Sequence, residues 1–402
     1  MIENLLITIV SIGVILLLFI PRWTKSDIWL ATLTPLASII GSGFLILGPL
    51  LQNSLGTNAL WGMFFLCASA YLIGYVIRFN IQYVEDELSA SGTSKGIKLT
   101  EKLGDMSLVL AYVVSITYYL NLFGAFFLKA FDRTDDFEQK MVSTFVISFI
   151  GIFGLFKGLD FLERLEKVSV SIKLSIIGGL LFGLLLFNAE AAAKGGWILK
   201  EPHLDFTWNS FAILVGLIIT VQGFETSRFL GEKYDQATRI KSMKWAQWIS
   251  TVIYLMYIGL SLVNYIGPTV GETSETAIID QSRVIATWLP ALLILAALAA
   301  QFSAAVADTN GGSGLAVEVT NGTVKSKVGI FLICLLGLGL TWLFDIFQII
   351  ALASKAFAIF YGIQCLSAIQ VAYQKKFWLK LLLFAGVCIL CLLVIFVGVP
   401  AE

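Results

Sequence analysis

LTPLASIIGSGFLILGPLLQ (residues 33–52) decides the fold, because its apolar run is interrupted at the centre by Gly41-Ser42-Gly43. An apolar run of about 20 residues is long enough to cross a bilayer as a helix. A helix-breaking triplet at mid-membrane leaves backbone groups unpaired, and such a break survives at that depth only where it lines a cavity or meets a ligand. The stretch therefore predicts a broken membrane helix whose freed backbone groups have a partner.

The composition of the whole chain indicates an integral membrane protein. Of its 402 residues 58% are hydrophobic and 13% charged, and the mean hydropathy is +0.87. The apolar runs are long and continuous, which favours helices over barrel strands, since barrel strands alternate over about ten residues. We predict an all-α fold with about 12 transmembrane helices, at 2–20, 28–50, 59–79, 105–130, 141–159, 168–189, 208–230, 244–267, 284–307, 327–345, 346–373 and 377–398.

The distribution of Lys and Arg predicts the orientation. If residues 21–27 are cytoplasmic, that side carries 20 basic residues and the other side six, with Lys355 left within a span. By the positive-inside rule both termini are then extracytoplasmic, in a multi-pass protein of the plasma (bacterial inner) membrane. The zero net charge gives no reason to expect nucleic acid as a partner, so lipid and a small molecule are the partners expected.

Ten of the runs divide into two halves of opposite orientation. Five lie in 28–189 and five in 208–373, and an odd number of spans inverts the second half. An extra helix and cytoplasmic link (1–27), an extracellular connection (190–207) and an extra C-terminal helix (374–402) complete the predicted organisation.

The first helix of each half is interrupted at a matching depth. Gly41 stands about 13 residues into its helix, and Gln222-Gly223-Phe224-Glu225-Thr226 begins about 14 residues into the other. Interruptions at corresponding positions of inverted halves point to the binding site of a transporter. The alternative is helix packing, since Gly41 and Gly43 could admit a neighbouring helix.

Two stretches resemble the amino acid–polyamine–organocation superfamily, which has the leucine-transporter fold. Residues 38–44 (SIIGSGF) are similar to the break of its first core helix. Gly223-Phe224-Glu225 followed by 230–233 (LGEK) and Arg239-Ile240 resembles its sixth core helix and the charged loop behind it. The chain departs from the pattern in lacking the usual Pro after Arg239 and in its extra N-terminal span. The resemblance implies a 5+5 inverted repeat over about 28–373.

The resemblance also implies a solute held between the two breaks. Its carboxylate would lie on the amides of Gly41, Ser42 and Gly43, which suits the positive end of a helix dipole. Its amine would meet carbonyls from Val221 to Phe224. With neighbouring residues added, the predicted substrate-binding set is Ile40, Gly41, Ser42, Gly43, Ser115, Tyr119, Val221, Gln222, Gly223, Phe224 and Glu225.

Lys173 is the first candidate for coupling. In sodium-independent members of the superfamily, a lysine at a similar place on the fifth core helix fills the space of a sodium ion. The alternative is a lysine that snorkels to the headgroups, and Ile39, Ile40 and Ser303 would then hold sodium through oxygen ligands. Glu225 is either a proton carrier or a cap on its own broken helix, because a buried carboxyl tends to be neutral or paired.

Two further polar features of the sequence each have two interpretations. Asp308 either pairs with Lys173 across the inner pathway or is solvated where the ninth span ends, near the Gly-rich residues 311–314. Tyr112, Ser115, Tyr118 and Tyr119 fall at helical spacing and form a stripe that either faces the site or packs as aromatic core. Within this stripe Ser115 and Tyr119 are the first choices as site lining.

The sequence shows no catalytic pattern. It has no P-loop, zinc pattern or nucleophile–base pair, and the sole histidine, His203, lies in a predicted outer loop. We predict a cofactor-free, non-enzymatic secondary transporter of a small organic solute, an amino acid first, with proton coupling favoured over sodium. The alternatives are a sodium-coupled carrier of an amino acid, nucleobase or inorganic ion, and a non-transporting sensor. The chain is expected to be a monomer or homodimer.

Overall fold

The computed structural model describes residues 2–18, 20, 26–41, 43–90, 94–157, 160–196, 206–231, 233–262 and 274–401, with the backbone alone for 2–4, 157 and 160–169. The α-helices are α1 (Ile2–Leu18), α2 (Asp27–Ile39), α3 (Gly43–Leu55), α4 (Ala59–Phe79), α5 (Glu85–Ser89), α6 (Lys95–Lys129), α7 (Asp136–Lys157), α8 (Asp160–Ala193), α9 (Trp208–Gly216), α10 (Gln236–Ser261), α11 (Ala277–Ser282), α12 (Leu289–Val319), α13 (Ser326–Leu343), α14 (Ile346–Gln374) and α15 (Trp378–Val397). A π-helix (Asn80–Val84) joins α4 to α5, and two 3-10 segments (Ile218–Val221 and Phe224–Leu230) follow α9.

The helices confirm the predicted membrane fold. Among the described residues, eight helices are long and apolar enough to cross a membrane, and the bent pair of α2 and α3 makes a ninth span. The remaining predicted runs fall on α1, on α9 with its 3-10 segments, and on α10. Within the described residues, each of the twelve predicted runs thus overlaps a helix or a broken helix.

Helix α6 forms the centre of the molecule. Of its most apolar 18 residues 83% are buried, whereas for α15 the share is 22%, so α15 lies at the periphery. It packs against α12 and α14. Gly312 of α12 permits close approach, because a Cβ there would lie 3.3 Å from Cβ of Tyr112 on α6. The tyrosine-rich face of α6 is therefore directed into the interior.

The extra N-terminal helix packs on α8 through a groove of small residues. A Cβ at Gly178 would lie 3.0 Å from Val14, and a Cβ at Gly183 would lie 3.0 Å from Ile7. Ser11 contacts the intervening Gly179. Small residues let membrane helices approach closely and gain van der Waals contact. These glycines therefore explain why α1 lies against α8.

Two predicted boundaries are wrong. The segment 80–104, left between the predicted spans 59–79 and 105–130, is mostly helical, since the π-helix, α5 and the first turns of α6 occupy most of it. The ninth span was expected to end near residues 311–314, yet α12 continues to Val319. Glycines destabilise an isolated helix, but Gly311 and Gly312 pack against Tyr112 and Ile333, so tertiary packing compensates for their low helix propensity.

Candidate functional site

The first predicted break is present between α2 and α3. Helix α2 ends at Ile39, and α3 starts at Gly43 with a bend of 43° between the two axes. The amide of Ile40 donates to Leu36 at 3.0 Å, and that of Gly41 donates to Ser38 at 3.1 Å. Ser42 lies outside the described residues. The Gly41 amide is one of those predicted to hold a carboxylate. In this conformation it donates to the Ser38 carbonyl within the break instead.

The second break extends over more residues than predicted. The run 208–230 forms α9, a 3-10 segment and a second 3-10 segment, separated at Gln222 and Gly223. Gln222 is extended, and Gly223 has φ of +115°, a conformation that glycine adopts without the steric cost of a Cβ. The chain therefore changes direction at the residues that the sequence singled out.

Ser354 of α14 supplies hydrogen bonds that α9 loses at this break. Its hydroxyl donates to the Gly216 carbonyl at 2.5 Å and accepts from the Ile219 amide at 3.0 Å. A buried backbone group without a partner is costly, particularly in a membrane. The serine thus stabilises an interruption that α9 could not sustain alone.

The two breaks lie in direct contact. A Cβ on Gly43 would lie 2.7 Å from Cα and Cβ of Thr220 and 2.9 Å from its carbonyl oxygen. A Cβ on Gly223 would collide with Ser38. The glycines are therefore required for backbone-to-backbone approach between the two halves of the fold.

A chain of hydrogen bonds surrounds the second break. Glu225 is 1% exposed, and its Oε2 accepts from the amide of Gly223 at 3.0 Å and from the Tyr361 hydroxyl at 2.8 Å. The Gln222 amide group donates to the Tyr119 hydroxyl at 3.3 Å. Glu225 therefore caps its own broken helix, as one of the two predicted alternatives states. The structure brings Tyr119, Gln222, Gly223 and Glu225 together.

Aromatic rings enclose the same region. Phe224 stacks on Tyr361 with ring centroids 5.5 Å apart and an interplanar angle of 19°. Phe357 lies 6.0 Å from Tyr361 and contacts Tyr112 edge-on at 6.1 Å. All four side chains are buried. Tyr112 of the predicted stripe on α6 thus belongs to an aromatic cluster beside the second break.

Lys173 points inward to the first break. It is 3% exposed, and its Nζ donates to the carbonyl of Ala37 at 2.7 Å. The snorkelling alternative is therefore wrong for this conformation. Of the atoms proposed for sodium, the Ile39 carbonyl accepts the Tyr254 hydroxyl, and the Ser303 hydroxyl donates to Ala300 within α12.

Asp308 is buried within a continuous helix. It is 7% exposed and accepts a short hydrogen bond from Ser115, while α12 continues for several more turns. The alternative of a solvated residue at a helix end is wrong. Ser115, predicted as site lining, thus connects α6 to α12 through Asp308.

A charged network lies on the predicted cytoplasmic side of the second break. Arg228 pairs with Glu101 at 2.6 Å, and Arg239 pairs with Glu85 at 2.6 Å. Arg239 also donates to the carbonyl of Arg228 at 2.8 Å. A cavity of about 480 Å³ adjoins the network, lined in part by Lys98, Lys102, Asp105 and Glu318. Arg239, singled out in the loop motif, therefore anchors the segment that follows the break.

Ser354, Tyr361 and Tyr254 were not singled out from the sequence. Each contacts a break from another helix, and the Tyr254 hydroxyl lies close to both breaks. An isolated hydroxyl in an apolar helix has many structural explanations. The one available signal was that Ser354 and Tyr361 fall seven residues apart, on one face of α14.

Replacing Ser354 by alanine is expected to destabilise the protein by about 1–3 kcal/mol, the cost of leaving buried polar groups unpaired. The Gly216 carbonyl and the Ile219 amide lose their partner together. Thermal unfolding in detergent measures the effect. Ser107→Ala is the control, because Ser107 bonds to Gly104 of its own helix. Equal melting temperatures for both variants would contradict this role for Ser354.

The fold and its paired breaks define a membrane carrier of the leucine-transporter type. A family model described as an APC superfamily transporter matches residues 21–398. The chain belongs to this superfamily. The members of this superfamily are described as transporters, not as enzymes.

An uncharacterized protein of Aquifex aeolicus (strain VF5) is 39% identical over 385 residues, which cover 95% of this chain and 93% of that protein. Two solved structures of Mhp1 are similar in fold. One is the nucleobase-cation-symport-1 family transporter in a closed conformation with bromovinylhydantoin bound, with a TM-score of 0.55, 15% identity and 90% coverage of each chain. The other is inward-facing Mhp1, with a TM-score of 0.53, 15% identity, and coverage of 92% of this chain and 89% of that chain.

Proposed function

We propose that this transporter carries a small zwitterionic solute, an amino acid first, by alternating access around the two broken helices, with proton coupling. The observation that carries the proposal is the buried contact between the start of α3 at Gly43 and the second break at Thr220. Broken helices near mid-membrane are where such carriers hold their solutes. A solute at this contact would meet both halves of the fold at once.

The first break offers hydrogen-bond donors to a solute, and the second break offers acceptors. The first amides of α3 have no carbonyl partner within their own helix and lie at the positive end of its dipole, which suits a carboxylate. The second break presents backbone carbonyls and the buried carboxyl of Glu225, which suit an ammonium group. An amino acid carries both groups on one carbon, so it would bridge the breaks.

Proton coupling is supported by the position of Lys173. Its ammonium group occupies hydrogen-bonding distance of the Ala37 carbonyl, where a hard cation would otherwise find an oxygen ligand. A lysine shifts between charged and neutral forms more readily than arginine when it is buried. We therefore propose that protonation of Lys173 takes the part that a sodium ion would play.

A planar ring solute such as a nucleobase is the second candidate. The rings of Phe224 and Tyr361 are stacked, and the Tyr361 hydroxyl donates to the side-chain amide of Gln222 at 3.4 Å. Aromatic faces bind planar rings, and an amide pairs with a ring that has adjacent donor and acceptor atoms. Such a solute needs no separated charges, so it would bind nearer to the second break.

Uptake into proteoliposomes tests the two candidates. Purified protein is reconstituted and offered labelled amino acids and labelled nucleobases, with a pH gradient or a sodium gradient imposed separately. We expect accumulation of at least one amino acid driven by the pH gradient alone. Accumulation of nucleobases only would support the second candidate, and accumulation that requires sodium would overturn proton coupling. Binding without accumulation in any arm would contradict the transport proposal.

A further inference from the structure

Tyr254 of α10 lies between the two breaks. It is 1% exposed, and its hydroxyl oxygen is 2.8 Å from the Ile39 carbonyl oxygen and 2.6 Å from that of Thr220. Ile39 is the last residue of α2, and Thr220 lies in the first 3-10 segment. One side chain from a third helix thus reaches the backbone of both interruptions.

The hydrogen count makes this contact unusual. A tyrosine hydroxyl has one hydrogen to donate, and a carbonyl oxygen accepts only. Three oxygen atoms from three segments therefore share a single proton, which both carbonyls attract. The hydroxyl can be shared in this way only while both carbonyls lie beside it, so it ties the position of one break to that of the other.

Two other side chains bond to the backbone of the breaks. Lys173 bonds to the first break through Ala37, and Ser354 bonds to the second through Gly216 and Ile219. Tyr254, in contrast, joins one side chain to the backbone of both breaks. This difference separates a residue that couples the breaks from residues that stabilise one of them.

Tyr257 provides a natural comparison on the same helix. It is also fully buried, and its ring packs on Phe44 at 4.6 Å, while that of Tyr254 packs on the same ring at 5.5 Å. Its hydroxyl lies 3.4 Å from the Leu45 carbonyl of α3, and within the described part of the chain no hydrogen bond joins it to the second break. The two tyrosines thus share their packing partner and differ in what the hydroxyl joins.

We propose that Tyr254 is a positioning residue whose hydroxyl couples the two broken helices, so that both breaks loosen and tighten together. This inference rests on the proposed alternating access around the breaks. In that cycle, coupling would keep the half of the site on the first helix aligned with the half on the second. A solute would then find both halves of the site in place together, or neither half.

Hydrogen exchange measured by mass spectrometry tests the coupling in the full-length protein without any solute. Tyr254→Phe removes the hydroxyl and keeps the ring. We expect peptides over 36–44 and 216–224 to exchange faster by a similar factor of about 10, which corresponds to loss of one buried hydrogen bond. Peptides from α6 and α13 should keep the wild-type rate. Tyr257→Phe is the matched control and should leave 216–224 unchanged.

Each other result overturns the proposal. Faster exchange in one break only, in neither, or throughout the protein would show that the hydroxyl does not couple the breaks. The same pattern for Tyr257→Phe would assign the effect to packing. If the phenylalanine variant does not fold, 3-fluorotyrosine at position 254, a stronger donor of the same shape, should slow exchange in both segments, and an unchanged rate would overturn the proposal. The readout needs no transport, so failure here is distinct from failure of the uptake assay.

Discussion

Gly43→Ala is expected to lower solute uptake about 100-fold, because a shift of about 1 Å in a site commonly costs that factor. The new Cβ would lie 2.7 Å from Cα and Cβ of Thr220, whereas carbon atoms in contact prefer about 3.5–4.0 Å. The obstructing atoms include backbone of the other break, which cannot rotate away. The two breaks must therefore separate, and the solute loses contact with one of them. Gly43→Leu should abolish binding completely.

Gly339→Ala is the matched control for Gly43→Ala. Gly339 is also a helical glycine, and a Cβ there meets no atom within 4 Å. This variant should retain full uptake and gain slightly in stability, since alanine favours the helix by about 1 kcal/mol. Both proteins are compared by size-exclusion chromatography before uptake is measured. Uptake by a folded Gly43→Ala protein within about threefold of wild type would remove the solute site from the first break.

The positions of the two breaks could be predicted from the sequence because each break is caused by the residues at the break itself. A Gly-Ser-Gly triplet inside an apolar run, and a Gln-Gly pair before Glu225, conflict with a continuous membrane helix whatever surrounds them. The depth of each interruption follows from counting residues along the run. The same local reasoning failed at Gly311 and Gly312, where contacts with Tyr112 and Ile333 from neighbouring helices stabilise the helix.

The residues that complete the site could not be read in this way. Tyr254 meets Ile39 across 215 positions of the chain, and Tyr361 meets Glu225 across 136. Their partners are backbone atoms or side chains on helices whose relative placement the sequence pattern leaves open. A hydrophobic run with one tyrosine or serine predicts a helix face, and it does not predict which carbonyl that hydroxyl meets. Long-range partners therefore required the packed structure.

Lys173→Gln is expected to abolish the proton dependence of uptake while exchange of solute across the membrane persists. Wild-type protein moving one proton with each solute can accumulate it about 10-fold for a pH step of one unit, since a tenfold ratio corresponds to about 1.4 kcal/mol. Glutamine can still donate to the Ala37 carbonyl, but it cannot bind or release a proton. The accumulation ratio should therefore fall to one, and counterflow of labelled solute measures the exchange that remains.

Two further variants separate charge from proton transfer at this position. Lys173→Arg keeps a positive charge that does not titrate in the accessible range, so it should also lose the response to a pH gradient. Lys98→Gln removes an exposed lysine of α6 and should behave as wild type. Lys173→Ala leaves the Ala37 carbonyl without its donor and should both lose proton dependence and melt at a lower temperature.

An unchanged pH response in the glutamine and arginine variants, with uptake that requires sodium, would assign coupling to a metal ion. The inward orientation of Lys173 would then be structural, and the first break would hold the solute without controlling the direction of its movement.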